Sequence, residues 1–186
     1  MLTDAVVAIA MTLLVLPLVE AVPEVDIHDV WPFISGHLSL FVSFLVSFLV
    51  ILLFWSAHQR VFRHDTDTTP TLRLLNVVWL LVIAFLPVPT ALVGRGPTTS
   101  TTPIYIGSVF LLGAVSAAMT FAVSRDVEDP SARDYLRRRG VVALGAVAVL
   151  LACTVVATVS PDAALYGLLL IIAVRLVGNR WAGTPA

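Results

Sequence analysis

Lysine is missing from this chain of 186 residues, and all 11 of its permanent cations are arginine. Charge of either sign is scarce: 12% of residues are charged, where a water-soluble domain of this size carries about a quarter. That shortage excludes a water-facing globule, because too few polar side chains exist to cover one. Cysteine occurs once, at Cys153, so an internal disulfide is excluded. No His or Cys cluster has metal-ligand spacing, and neither a metal nor another cofactor is expected. A net charge of −1 gives no reason to expect a nucleic-acid partner. Acids are missing from the middle of every long apolar run, and His58 is the one histidine placed to act as a base near a helix end. A membrane-embedded hydrolase needs a nucleophile with a base, paired carboxylates or a metal, so an enzyme is not expected.

What the chain has is hydrocarbon. Hydrophobic residues make up 59% of it, and the mean hydropathy is +0.98. Charge-free runs occur between Asp4 and Glu20, then over 30–59, 74–94, 96–124, 140–161 and 163–174. Crossing hydrocarbon roughly 30 Å thick takes about 20 helical residues. The pattern predicts an all-α membrane protein, a single domain of six transmembrane helices over 4–22, 33–57, 73–94, 103–124, 139–160 and 162–178. The last is the shortest and needs Arg175 to snorkel toward the headgroups. The start lacks the charged opening and small-residue cleavage site of a secretory signal, so the first run is read as a retained helix.

The arginines set the orientation. With both termini in the cytoplasm, the inner loops and tail hold Arg60, Arg63, Arg73, Arg125, Arg133, Arg137, Arg138, Arg139, Arg175 and Arg180, and only Arg95 falls outside. That asymmetry follows the positive-inside rule. Trp31, Trp55 and Trp181 fall at predicted interfaces, as aromatic belts do. The same topology gathers Glu20, Glu24, Asp26 and Asp29 at the outer mouth. Pro17 removes a helical hydrogen bond near the outer end of the first span, and Pro87 and Pro89 interrupt the third. Gly107, Gly113, Ala114, Ala117, Ala118, Gly145, Ala146 and Ala148 suit close helix packing in the fourth and fifth spans.

Three stretches carry a resemblance. The first helix reads Leu2-Thr3-Asp4-Ala5-Val6-Val7-Ala8-Ile9-Ala10-Met11-Thr12-Leu13-Leu14. The second span ends Phe54-Trp55-Ser56-Ala57-His58-Gln59-Arg60. The third contains Leu75-Asn76 and Phe85-Leu86-Pro87-Val88-Pro89-Thr90-Ala91. Together they resemble the endolysosomal potassium channel family (transmembrane protein 175) and its bacterial homologues. That family opens its pore helix with Phe-(Ser/Thr)-Asp, ends its second span with Trp-x-x-His, and carries Leu-Asn and Pro-x-Pro/Thr-Ala in its third. Here Leu2 stands where Phe is usual, and the family's upstream Arg would precede Met1. The last three spans add only their number.

Ile9, Leu13 and Leu16 share one helical face, with Thr12 beside it. On an isolated membrane helix such a stripe commonly faces lipid. Several copies around an axis would stack it into apolar rings, which gate by dewetting. The resemblance implies that the first helix lines the pore, with Ile9 at its narrowest part. It further implies a homotetramer in a bacterial plasma membrane and a preference for potassium over sodium as the permeant monovalent cation. No Thr-Val-Gly-Tyr-Gly filter is present, so any selectivity is expected to be modest and differently built. Thr12 has a rival role, bonding back to the carbonyl at position 8. Thr3, Asp4, His58 and Asn76 are expected to form a polar network at the inner edge, supported by Trp55, because polar groups at that depth need partners. A secondary transporter and a proton-conducting channel of the same fold are the alternatives. If the outer acids concentrate cations at the mouth, neutralising Glu20, Glu24, Asp26 and Asp29 together will lower inward conductance, chiefly at low salt; single-channel recording in two salt concentrations measures this.

Overall fold

In the computed structural model, residues 2–24, 28–62 and 69–181 are described, with backbone alone for Glu24 and 173–181. Arg63 and Asp26 lie outside the described residues, as do the side chains of Glu24, Arg175, Arg180 and Trp181.

The first span consists of α1 (Leu2–Leu13) and α2 (Leu16–Ala21). It is interrupted where Pro17 has no amide to offer the Leu13 carbonyl. A 3₁₀ turn (Val22–Glu24) follows, then the short α3 (Trp31–Gly36) and the 25-residue α4 (Leu38–Phe62). The third span is again divided, into α5 (Pro70–Phe85) and α6 (Pro87–Gly94). Its break falls at Leu86, because Pro87 cannot donate to the Ile83 carbonyl and sits more comfortably at a helix start. The chain then makes α7 (Thr101–Asp126), α8 (Pro130–Ala157) and α9 (Pro161–Trp181). Five stretches are long and apolar enough to cross a membrane: Leu2–Ala21, Leu38–Phe62, Pro70–Gly94, Thr101–Asp126 and Pro130–Ala157. Among the residues whose side chains are described, α9 contributes the apolar stretch Pro161–Ile172.

Helix starts are written in the sequence. Thr69 accepts the Leu72 amide ahead of Pro70. Asp129 accepts the Ser131 hydroxyl at 2.7 Å and the Ser131 and Ala132 amides ahead of Pro130, a standard N-cap. Those donors, the Ser131 hydroxyl first, hold the Asp129 carboxyl below the usual carboxylate range.

At the centre stands α7, which packs against α4, α5, α6, α8 and α9. Its Tyr105, Ile106, Leu112 and Met119 are fully buried, as are Ile51 of α4 and Trp79 and Ile83 of α5. Trp79 Nε1 donates to Ser116 Oγ at 3.0 Å, which satisfies the one polar atom of that large side chain. Helix α1 packs on α4, α5 and α6, and α8 packs chiefly on α7 and α9. The expected small-residue packing holds at Gly107 and Gly113, whose α-carbons face Thr154 and Val147–Leu150 of α8. It fails at Ala118, Gly145 and Ala148, which turn outward. The tightest approach is one the sequence did not signal: a Cβ on Gly94 would meet Ser43 Oγ at 2.5 Å and Leu40 Cδ2 at 2.9 Å.

Three buried hydroxyls hold the broken third span to its neighbours. Thr90 donates to the Leu86 carbonyl at 2.8 Å, and its hydroxyl lies 2.8 Å from Ser47 Oγ, which is free to donate to it. Ser47 Oγ and the Tyr105 hydroxyl share a hydrogen bond of 3.0 Å. In hydrocarbon each of these groups must find a protein partner, and together they link α4, α6 and α7 beside the Leu86 break. Ser47→Ala leaves two of them short of a partner and will cost about 1–2 kcal/mol of stability. Replacing all three by Ala, Val and Phe will cost less than the sum of the single changes, as measured by unfolding in detergent.

Candidate functional site

The packed face of the first span is set by Val7, Ala10 and Leu14, all buried. Asp4 and Met11 extend the same face by helical spacing. Ala10 is small enough for a neighbouring helix to come close. The opposite face carries Leu2, Ala5, Ile9, Thr12, Leu13 and Leu16, and every one is exposed. Ile9 is 59% exposed, Leu13 44% and Leu16 49%. The stripe read as pore-lining is therefore turned away from the protomer's own core, free to meet lipid or other copies of the chain. Thr12 donates to the Ile9 carbonyl at 2.8 Å, not to that of Ala8. The helix tightens there, with the Val15 amide on the Thr12 carbonyl at 3.3 Å, so i−3 is the nearer acceptor.

At the arginine-rich end, Asp4 Oδ1 accepts Trp55 Nε1 at 3.1 Å and Gln59 Nε2 at 2.6 Å. These two contacts tie the start of α1 to the end of α4. One turn away, His58 Nε2 lies 2.8 Å from Asn76 Oδ1. With a carbonyl oxygen facing it, Nε2 carries the hydrogen. The imidazole is stacked on Phe62 at 4.5 Å and tilted against Trp79 at 4.4 Å, which fixes it between α4 and α5. The four residues expected to form one network thus divide between two contacts. Asp4 joins α1 to α4, His58 and Asn76 join α4 to α5, and Thr3 makes no side-chain hydrogen bond among the described residues. Gln59 makes the shorter of these two contacts to Asp4, and the sequence does not signal it. A glutamine at a helix end carries no pattern of its own.

At the opposite end, Glu20 lies 3.6 Å from Arg95. Both side chains are more than half exposed, so the pair adds little stability. They flank a polar cleft of about 380 Å³, together with Pro17, His37 and Ser39. Asp29 accepts the Trp31 amide at 3.2 Å and so starts α3. Among the described residues, no three His, Cys, Asp or Glu side chains are grouped to hold a metal ion.

Residues 1–87 match the sequence profile of the family described as endosomal/lysosomal potassium channel TMEM175. A potassium channel of Streptomyces collinus is 32% identical over 120 residues, covering 64% of this chain and 57% of that protein. The human endosomal/lysosomal proton channel TMEM175 is 32% identical over 88 residues, 46% of this chain and 17% of that one. The crystal structure of a lysosomal potassium-selective channel TMEM175 homolog from Chamaesiphon minutus superposes with a TM-score of 0.80. It is 23% identical and covers 96% of this chain and 95% of that one.

The chain is a homologue of the TMEM175 family. It shares the all-helical TMEM175 fold along nearly its whole length, while the sequence match to the Streptomyces relative spans little more than half of that protein. The profile match contains α1, the α4 end with Trp55, His58 and Gln59, and α5 with Asn76. Both polar contacts at the arginine-rich end therefore lie inside the TMEM175-like segment. Asp4→Ala removes the shared acceptor of Trp55 and Gln59. It will lower the thermal transition of the purified protein, and Asp4→Asn, which keeps one acceptor oxygen, will restore part of it. A thermal transition that matches wild type in the alanine variant would sink the anchoring role.

Proposed function

We propose that this chain is one subunit of a modestly potassium-selective cation channel, a homotetramer whose pore is lined by the first helix of each copy. The observation that carries the reading is the exposed stripe of Ile9, Leu13 and Leu16 on a helix that is otherwise seated in the protomer. Placed around a shared axis, the stripe forms apolar rings with Ile9 at the constriction and Thr12 beside it. An ion passes such a ring only by shedding part of its hydration, which favours potassium over the more strongly hydrated sodium. Asp4, with Trp55 and Gln59, sets the rotation of α1 that presents the stripe. The pair His58–Asn76 holds α4 and α5 in register behind it. Glu20, Glu24, Asp26 and Asp29 raise the cation concentration at the outer mouth. Six helices cross a bacterial plasma membrane, α9 last, with both termini in the cytoplasm.

A second reading is proton conduction through the same helices. It is favoured by the human relative, which is named a proton channel, and by the apolar lining, which strips metal ions more readily than it stops a proton carried on transient water. A transporter is less well supported. The polar groups buried beside the broken third span are the hydroxyls of Ser47, Thr90 and Tyr105, without a charge among them.

Purified protein in potassium-loaded liposomes tests the three readings. Passive potassium efflux, which sets up an inside-negative potential and requires no counter-substrate, is the expected result. Flux of protons alone favours the second reading, and strict exchange ends both channel readings. Ile9→Ala widens the ring and will lower the potassium-to-sodium permeability ratio severalfold, read from reversal potentials under bi-ionic conditions. An unchanged ratio removes Ile9 from the constriction.

A further inference from the structure

Helix α8 is 28 residues long, about 42 Å at 1.5 Å per residue. Hydrocarbon about 30 Å thick takes roughly 20 of those residues. Counting back from Ala157 places the boundary near Arg138. The turns before it, from Pro130, project from the membrane, with Asp129 capping the end.

Three arginines meet at this boundary, and they are not equivalent. Arg139 is half-buried, with its guanidinium 5.2 Å from the centre of the Tyr135 ring. Arg137 and Arg138 are exposed. Neither makes a hydrogen bond or an ion pair among the described residues, although Asp134 stands three and four positions earlier, at the spacing that favours a pair. One turn onward on the same helical face come Val141 and Val142, 64% and 72% exposed, and the lane continues through Leu144, Val149 and Leu151. Helix α8 packs chiefly on α7 and α9, whereas α1 packs on α4, α5 and α6. This face therefore points away from the stripe that would surround a pore, and its natural solvent is lipid.

We infer that Arg137 and Arg138 form a docking site for the headgroup of an anionic phospholipid, whose acyl chain lies along the lane below. Two unpaired guanidinium groups at headgroup depth offer a phosphodiester its charge and its planar donors. A zwitterionic lipid brings its own ammonium and gains less from them. Each arginine near the surface favours an anionic lipid by about fivefold, and the preference weakens as salt screens it. The site depends on the membrane setting of α8 and not on what the pore conducts.

The test uses the intact assembled protein, delipidated in neutral detergent and offered equimolar phosphatidylglycerol and phosphatidylcholine of identical chains. Retained lipid is counted by mass. Wild type will retain phosphatidylglycerol at least fivefold over phosphatidylcholine, and the preference will fall as sodium chloride rises from 0.05 to 0.5 M, values chosen to shorten the screening length. The double variant Arg137→Gln/Arg138→Gln will lose most of the preference, and Arg137→Lys/Arg138→Lys will keep part of it. Arg95→Gln, at the opposite end, will keep all of it. Inorganic phosphate at millimolar concentration will not displace the lipid, because the acyl lane contributes to its retention. Equal retention of the two lipids by wild type overturns the proposal, as does a preference that survives in the glutamine variant, or full displacement by phosphate. The salt dependence of the wild type decides the matter even if the glutamine variant does not fold.

Discussion

The rotation of the first helix about its own axis is the constraint from which the rest of this protein follows. A helix that is apolar all round has no intrinsic preference for which face it buries. Here the choice is made by one carboxylate. Asp4 cannot be left unpartnered near hydrocarbon, and its partners, Trp55 and Gln59, lie on α4. That contact, with Val7, Ala10 and Leu14 packed along the same face, leaves Ile9, Leu13 and Leu16 pointing out. A change of rotation by one residue, about 100°, would carry Asp4 off α4 and move part of the stripe into the core. The polar anchor and the apolar stripe are two consequences of a single setting.

The anchor is only as rigid as the helices it grips, and α4 is held from behind. His58 reaches Asn76 and rests on Trp79, which in turn donates to Ser116 of α7. A continuous path of side chains therefore runs from α4 through α5 to the central helix. At the other end Thr90 and Ser47 tie α6 to α4, where Gly94 lets the two backbones approach closely. The third span needs both attachments because it is divided at Leu86. A straight helix would transmit position along its length, whereas a broken one must be fixed on each side of the break.

Much of this was legible in the sequence, and the exceptions have physical causes. Charge-free runs bounded by arginines and acids mark helices, because lipid tolerates little else. Pro17 and Pro87 mark breaks for the covalent reason that a missing amide cannot be hidden. Asp4, His58 and Asn76 could be singled out as polar groups at a membrane edge. Their pairing could not, because it depends on which side chain of the next helix comes within 3 Å. Gln59 and the trio Ser47, Thr90 and Tyr105 show the limit. Ser47 and Tyr105 are 58 positions apart, each is an ordinary residue of an apolar run, and nothing but the folded geometry joins them. Gly145 and Ala148 illustrate the converse, since small size permits close packing without requiring it.

The family profile matches residues 1–87, whereas the likeness in fold extends over nearly the whole chain. That contrast has a physical reading. The first three spans carry specific hydrogen bonds, and each bond demands a particular residue at a particular height: a carboxylate opposite an indole, an amide opposite an imidazole. The later spans have fewer such demands. In α8 the hydrogen bonds of the membrane part are internal, as with Thr154 on the Leu150 carbonyl, and the outward face needs only to be apolar. Within lipid many side chains satisfy that requirement equally well. The solvent there constrains composition more than identity. Arg137 and Arg138 stand where that freedom ends, at the depth where the solvent changes from hydrocarbon to headgroup and charge regains a partner.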